Sequence, residues 1–278
     1  MAFITVNRVR LAYDEYGAGP PVIWVHGSWT DRRGADLLAP QVAERYRFIT
    51  YDRRGHSQSE RRPGHQSLSD HVDDLAALVE QLDAVPAHLV TNSYGGPIAL
   101  RLALRRPELV ASLCLHEPDV FGVLPDDPDV RQALDDLRAR CAPVVAEVEQ
   151  GNAAGAARLF METVAMGPGA WEAMPQELRR TVTQNAPTFL DDVTEAIGAI
   201  GPLAGITHPV LLTGGGHSYP LAAAANRCLA DELPNSRRYT FADAGHVPHR
   251  THPDELARVV LGFLDDVERA APAHPVTA

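Results

Sequence analysis

A serine stands at the apex of a short turn between a predicted strand and a predicted helix. The largely apolar residues 87–90 form the strand, residues 92–96 read NSYGG, and an apolar-periodic stretch that begins at Pro97 forms the helix. Such a turn lifts the Ser93 hydroxyl out of the sheet and directs the first amides of the helix at whatever the serine attacks. Because a serine is a weak nucleophile at neutral pH, this interpretation requires a histidine and an acid elsewhere in the chain.

Short apolar runs alternate with helical patterns along most of the 278-residue chain. This alternation is typical of a mostly parallel sheet with helices on both faces, so the sequence predicts an α/β fold. We expect helices before and after the serine strand and a last helix at about residues 253–268. The predicted strands lie near residues 3–6, 9–16, 22–26, 47–51, 87–92, 111–115, 209–213 and 237–241.

The alternation stops between residues 119 and 202, where no strand-like run is present. Four helical segments are predicted there, at residues 129–150, 153–166, 171–185 and 189–200. A helical insertion between two strands of a parallel sheet most simply covers the carboxyl edge, where the sites of open α/β sheets lie. We therefore predict a cap at residues 119–202 on a core of residues 1–118 and 203–278. An independent helical domain is the alternative.

The composition excludes several classes of partner. A formal net charge of −11 without a basic stripe argues against nucleic acid and anionic membrane surfaces. No apolar run approaches the ~18 residues of a membrane span, and the first residues do not resemble a signal peptide, so we expect a cytoplasmic protein. The three cysteines are widely spaced, which favours small buried side chains over disulfides or metal ligands.

Four short motifs, in order, resemble those of the α/β-hydrolase superfamily, and the resemblance covers nearly the whole chain. They are VIWVHG at residues 22–27, YDRRGHSQS at 51–59, TNSYGG at 91–96 and AGH at 244–246. They are similar to the turn before the oxyanion loop, the D-x-x-G-x-G-x-S loop, the nucleophile elbow and the catalytic-histidine turn. The resemblance implies an α/β-hydrolase fold with a mostly parallel eight-stranded sheet and a helical cap.

Two residues depart from the superfamily pattern. His56 replaces the second glycine of the D-x-x-G-x-G-x-S loop, and Thr91 stands in the elbow two residues before the serine, where glycine is expected. A branched side chain at Thr91 needs room, so we expect either a small shift of the following helix or a pocket for the threonine.

The superfamily's chain order, serine then acid then histidine, indicates His246 as the general base. His246 follows the last predicted strand and precedes the last helix. His249 and His252 are the alternatives, because they lie within about a turn of the same position.

The position of the catalytic acid is unusual. Most members of the superfamily carry it after the strand that corresponds to residues 209–213, but no carboxylate follows that strand here. Residues 214–220 read GGGHSYP, and Asp243 is too close to His246 in sequence to reach round to its Nδ1. Glu117 remains, at the end of strand 111–115, and some α/β-hydrolases place the acid there. We predict that Glu117 fixes the tautomer of His246 and stabilises its protonated form. A salt bridge to the cap is the alternative role.

The resemblance also implies an oxyanion hole and a substrate pocket. The backbone N–H groups of Ser28 and Tyr94 are the expected oxyanion donors, and Trp29 is expected to line the acyl pocket. The runs HEP at 116–118, GAWEAM at 169–174 and GHVP at 245–248 are similar to the fungal zearalenone lactone hydrolases. This similarity implies that Trp171 is a pocket wall for an apolar or aromatic substrate, with helix packing as the alternative.

A serine at the elbow suits acyl transfer to water, whereas dehalogenases and epoxide hydrolases of this fold use aspartate. The sequence therefore predicts a serine hydrolase for small to medium apolar esters or lactones. A carbon–carbon bond hydrolase, a cofactor-free lyase or cyclase on the same triad, and a non-catalytic ligand-binding homologue are the alternatives. We expect no cofactor and no metal, since the chain has no phosphate loop, dinucleotide fingerprint or metal-ligand spacing. For the assembly of the protein, we consider a homodimer.

Overall fold

A computed structural model describes residues 1–195 and 200–270. Eight strands form one sheet in the order β1-β2-β4-β3-β5-β6-β7-β8. β1 and β4 pair antiparallel with β2, and the other neighbours are parallel. Every predicted strand is present, within two residues of its predicted bounds. The strands are β1 (Ala2–Val6), β2 (Val9–Tyr16), β3 (Pro21–Val25), β4 (Arg47–Tyr51), β5 (Ala87–Asn92), β6 (Val110–His116), β7 (Val210–Gly215) and β8 (Ser236–Phe241).

Helices cover both faces of the sheet and fill the chain between β6 and β7. They are α1 (Ala39–Val42), α2 (Leu68–Gln81), α3 (Gly95–Arg105), α4 (Pro128–Glu149), α5 (Ala153–Phe160), α6 (Ala170–Ala173), α7 (Gln176–Asn185), α8 (Phe189–Glu195), α9 (Pro220–Glu232), α10 (Pro248–Thr251) and α11 (Pro253–Ala270). Short 3₁₀ turns lie at Arg32–Ala35, Pro107–Leu109, Phe121–Val123, Ala186–Thr188 and Leu203–Gly205.

Two apolar cores hold these helices against the sheet. One includes Leu75 of α2, Ile98 of α3 and Leu229 of α9. The other includes Val42 of α1 and Phe263 of α11. Because β5 and β6 are buried along their length between these layers, their carboxyl ends are held rigidly at one edge of the sheet. No helix in residues 1–195 and 200–270 has both the length and the apolar composition that crossing a membrane requires.

We call α4 to α8, residues 128–195, the helical insertion. It has an apolar core of its own, which includes Val144 of α4, Val182 of α7 and Phe189 of α8. Trp29, from the loop after β3, is part of the same core, with 1% of its side chain exposed. The helical insertion therefore packs directly on the loop that follows β3.

Two of the predicted segments are broken in the structure. The prediction of one helix over residues 171–185 is wrong, because Met174 is extended before Pro175 and α7 starts only at Gln176. The clash between a proline ring and the preceding residue disfavours helical geometry there. The segment 153–166 forms α5 followed by a π turn at Met161–Ala165. Residues 196–199 of the predicted segment 189–200 lie outside the described residues.

Candidate active site

Ser93 occupies the turn between β5 and α3 with a left-handed backbone, at a φ of +53°. Two glycines make this turn possible. A Cβ on Gly95 would lie 2.1 Å from the carbonyl oxygen of Val25, and one on Gly96 would lie 2.3 Å from Cβ of Pro118. The start of α3 therefore packs too closely on neighbouring backbone for any other residue, and this contact holds Ser93 at the carboxyl edge of the sheet.

Thr91 is accommodated in a pocket on the buried side of β5. Its side chain is 1% exposed and borders a small cavity that Trp24, Cys114 and His116 also line. This space explains how the elbow tolerates a branched residue in place of the expected glycine.

Glu117 and His246 form the shortest polar contact at this edge. Nδ1 of His246 lies 2.6 Å from Oε2 of Glu117. The backbone N–H of Gly215 donates to the other carboxylate oxygen, Oε1, at 2.7 Å. Asn92, directly before Ser93, donates from its side chain to the carbonyl of His246 at 3.1 Å. The structure thus brings the predicted acid against the predicted base, beside the predicted nucleophile.

The glycines after β7 make room for this arrangement. A Cβ on Gly214 would touch Oε1 of Glu117 at 3.6 Å, and one on Gly215 would lie 2.5 Å from the carbonyl oxygen of Ala244. The Glu117 carboxylate and the loop that carries His246 therefore pack directly on the backbone at this strand end. A side chain at Gly215 would clash with that loop.

The electrostatics of the pair suit proton transfer through His246. Burial alone would raise the pKa of Glu117, but the hydrogen bond with His246 and the charges of His116 and His246 lower that pKa to about 2. Burial alone would lower the pKa of His246, but the hydrogen bond and charge of Glu117 raise it above its ordinary value. Burial lowers the pKa of the neighbouring His116 to about 4. Glu117 is therefore ionised and His116 neutral near pH 7.

The two residues expected to supply the oxyanion donors border the space in front of Ser93. Ser28 and Tyr94 line the same cavity as Ser93. A Cβ on Gly27, directly before Ser28, would lie 2.9 Å from Cβ of Ser93, so the loop after β3 runs against the serine. The role of the backbone N–H groups of Ser28 and Tyr94 as oxyanion donors stays a prediction.

A buried ion pair, which the sequence did not indicate, joins the loop after β4 to the helical insertion. Arg53 and Asp192 of α8 are both almost fully buried and pair at 2.9 Å. Ser28 donates its hydroxyl to Asp192 at 2.7 Å, and the Arg53 guanidinium lies 4.8 Å from the ring centre of Tyr94. The side chains of the two oxyanion candidates are thus fixed by one ion pair between core and insertion.

A second carboxyl group, also missed from the sequence, contacts the serine itself. The Ser93 hydroxyl donates to Oδ2 of Asp119 at 2.8 Å, and the Tyr219 hydroxyl lies 3.4 Å from Oδ1 of Asp119. Burial raises the pKa of Asp119, although the charge of His246 opposes this shift. The HEPD run at residues 116–119 could have indicated this contact. Asp119 is only two residues beyond Glu117, so it also lies near the end of β6.

A cavity of about 360 Å³ opens in front of Ser93, between the sheet edge and the helical insertion. Its walls are largely apolar and include Trp29, Phe160, Met161 and Val182. Trp29 stacks on Phe160 with ring centres 4.6 Å apart. Trp171 is not among the residues that line this cavity. It packs at the edge of the insertion core with Arg179 5.9 Å from its ring centre, which favours the packing role over the predicted pocket wall.

One group of possible metal ligands occurs within the described residues, and it overlaps the acid–base pair. The ligand atoms of His116, Glu117 and His246 lie within 4.8 Å of one another. Glu117 and His246 already bind each other, and Nδ1 of His116 is paired with the Thr213 hydroxyl at 2.9 Å. The hydrogen bond between Glu117 and His246 accounts for the close approach of those two side chains, and we assign no metal to the group.

Comparisons with known proteins show similarity along nearly the whole chain. A Mycobacterium tuberculosis protein described as a candidate non-heme bromoperoxidase, BpoC, is 29% identical over 94% of this chain and 99% of its own. The 2-hydroxymuconate semialdehyde hydrolase of Pseudomonas sp. is 28% identical over 96% of this chain and 95% of its own. The crystal structure of the enol-lactonase from Burkholderia xenovorans has a TM-score of 0.77 at 21% identity, over 95% of this chain and all of that one.

The resemblance to zearalenone lactone hydrolases stays a prediction, because none of these comparisons tests it. Membership of the broader family is established, because the sequence profile of the alpha/beta hydrolase family matches residues 22–259. With the elbow, the sheet order and this match together, the chain belongs to the alpha/beta hydrolase family.

Proposed function

We propose that this protein is a serine hydrolase that cleaves carboxylic ester or lactone bonds of small to medium apolar substrates. The observation that carries the proposal is the 2.6 Å contact between His246 and Glu117 beside Ser93, at the floor of an apolar cavity. In this assignment Ser93 is the nucleophile, His246 the general base and Glu117 the acid.

The reaction then proceeds in two halves. Ser93 Oγ attacks the carbonyl carbon while its proton passes to Nε2 of His246, and ionised Glu117 stabilises the resulting imidazolium. The N–H groups of Ser28 and Tyr94 stabilise the oxyanion. His246 gives its proton to the alkoxide oxygen as its bond to the carbonyl carbon breaks; an ester releases an alcohol, and a lactone gives an acyl-enzyme that carries the new hydroxyl group. A water then attacks the acyl-enzyme, His246 takes one of its protons and returns it to Ser93 Oγ, and the free acid leaves.

The cavity supports the substrate class. Its volume and its apolar wall of Trp29, Phe160 and Val182 favour a compact apolar acyl or alcohol group over a polymer. We assign the helical insertion as the cap over this site, because α4 to α8 supply most of that wall. Trp29 and Val247 are apolar lining residues from outside the helical insertion.

A carbon–carbon bond hydrolase on the same triad is the second candidate. The full-length similarity to a 2-hydroxymuconate semialdehyde hydrolase favours it. That chemistry also begins at a carbonyl but expels carbon in place of oxygen, so the two activities differ in their substrates and share Ser93.

A substrate panel tests the proposal. Purified protein is assayed against p-nitrophenyl butyrate, a medium-ring lactone and a vinylogous diketone acid that a carbon–carbon hydrolase would cleave. We expect turnover of the ester or the lactone, and its loss in Ser93→Ala but not in Ser236→Ala, a matched substitution on β8. Cleavage of the diketone alone would replace the proposal by the second candidate. Turnover of none of the three would contradict both.

A further inference from the structure

Asp119 is a cavity-facing carboxyl group that the triad does not use. It follows Pro118, which packs against Gly96 of the elbow. The backbone N–H of Asp119 also donates to the carbonyl of Ser93 at 3.4 Å. The fold therefore holds this carboxyl group beside the nucleophile.

The groups around Asp119 are two hydroxyls and three titratable side chains. Ser93 and Tyr219 bind its two oxygens. His246 from the loop after β8, Cys141 on α4 and Asp192 on α8 also face it. Asp192 is already paired with a buried arginine. Asp119 is thus a strong hydrogen-bond acceptor that is satisfied here by hydroxyl donors.

Asp119 competes with the base for the same proton. A serine hydroxyl has one proton, and in this structure Ser93 donates it to Asp119. Attack on a substrate requires that the proton be directed at His246 instead. Another donor that occupied Asp119 would remove this competition, and it would keep the carboxyl group hydrogen-bonded.

We propose that Asp119 and Tyr219 form a polar subsite for a hydroxyl group of the substrate, carried on a carbon one or two bonds from the scissile carbonyl carbon. The substrate hydroxyl replaces Ser93 as the donor to Asp119, and Ser93 turns to His246. The distance follows from the 2.8 Å between Asp119 and the atom that attacks the carbonyl. The proposal rests on the ester or lactone hydrolase activity proposed above and names the substrates that this site prefers.

The expected selectivity is substantial. With an ester that lacks the hydroxyl, Asp119 either keeps the hydrogen bond from Ser93 or has no donor in its place. We therefore expect the hydroxylated ester to have a kcat/KM roughly 10- to 100-fold higher. An acyl chain with a carboxylate in the same position would face the Asp119 carboxyl group and be rejected.

The test compares ethyl hexanoate with ethyl 2-hydroxyhexanoate and ethyl 3-hydroxyhexanoate, by titration of the released acid. Asp119→Leu has a similar size and no acceptor. We expect it to abolish the preference for the hydroxylated esters while Ser93 still reacts with a fluorophosphonate. Asp36→Asn, which removes an exposed carboxyl group at the rim of the same cavity, should keep the parent preference.

The outcomes separate this inference from the proposed function. Hydrolysis of ethyl hexanoate with no preference for either hydroxylated ester would overturn the subsite and leave the hydrolase standing. A preference that persists in folded Asp119→Leu would also overturn it. If the parent hydrolyses no ester and Ser93 does not react with the fluorophosphonate, the proposed function and the subsite both fail.

Discussion

Replacing Glu117 by glutamine perturbs the acid–base pair with almost no change of shape. The carboxylate accepts two N–H groups, from His246 at 2.6 Å and from Gly215 at 2.7 Å. A glutamine side chain has a single acceptor oxygen, so its NH₂ group must face one of these donors. If it faces His246, the imidazole must place its proton on Nε2, and that tautomer cannot take the proton of Ser93.

The expected loss in Glu117→Gln is on the order of 10²–10⁴ in kcat/KM, about 3–5 kcal/mol of transition-state stabilisation. The opposite amide orientation keeps the tautomer but removes the negative charge that stabilises the imidazolium. It also leaves the Gly215 N–H against a donor, at about 1–3 kcal/mol of folding stability. Thermal unfolding of the variant separates this second cost from the catalytic one.

The assay is p-nitrophenyl butyrate hydrolysis by the parent, Glu117→Gln and Asp243→Asn. Asp243 is an exposed carboxylate three residues before His246, so it is the matched control and should leave kcat/KM near the parent value. If Asp243→Asn is the more damaging change while Glu117→Gln stays near the parent, the acid assignment is wrong.

Three further outcomes follow from the same contacts. Since Glu117 raises the pKa of His246 and only the neutral imidazole accepts a proton, kcat/KM should fall on the acid side with a midpoint above the ordinary imidazole value; a pH–rate profile with a lower midpoint would contradict this. Gly95→Ala should destabilise by about 1–3 kcal/mol or more in urea unfolding, whereas Gly262→Ala, on an open face of α11, should stabilise by up to about 1 kcal/mol. Asp192→Ala leaves buried Arg53 without its carboxylate and should cost about 3–5 kcal/mol in the same assay, so a loss below 1 kcal/mol would refute the role of the pair.

The sheet and the acid–base pair could be predicted because each leaves a local signal. Strands buried on both faces are continuous apolar runs, and the NSYGG turn needs its glycines for close backbone contact. Glu117 could be selected because the segment after β7 contains no carboxylate. Its catalytic role stays a prediction, but the structure places it in contact with His246.

The remaining contacts could not be predicted, because they depend on how distant segments dock. Arg53 and Asp192 are 139 residues apart, and their pairing requires the helical insertion to lie on the loop after β4. Asp119 meets Ser93 only because the chain turns back after Pro118. The prediction that Trp171 is a pocket wall relied on local sequence similarity. The predicted helix breaks at Pro175, so the direction of α7 does not fix the position of Trp171.

The most direct test of the account is the labelling of Ser93 by a fluorophosphonate, read by intact-protein mass spectrometry and peptide mapping. We expect one adduct per chain, located on Ser93, in the parent and in Ser236→Ala. Ser93→Ala should carry no adduct, and its ester turnover should fall by at least ~10³-fold while its thermal unfolding remains cooperative. A folded Ser93→Ala protein that is still labelled, or that still hydrolyses the ester at the parent rate, would contradict the assignment of Ser93 as the nucleophile.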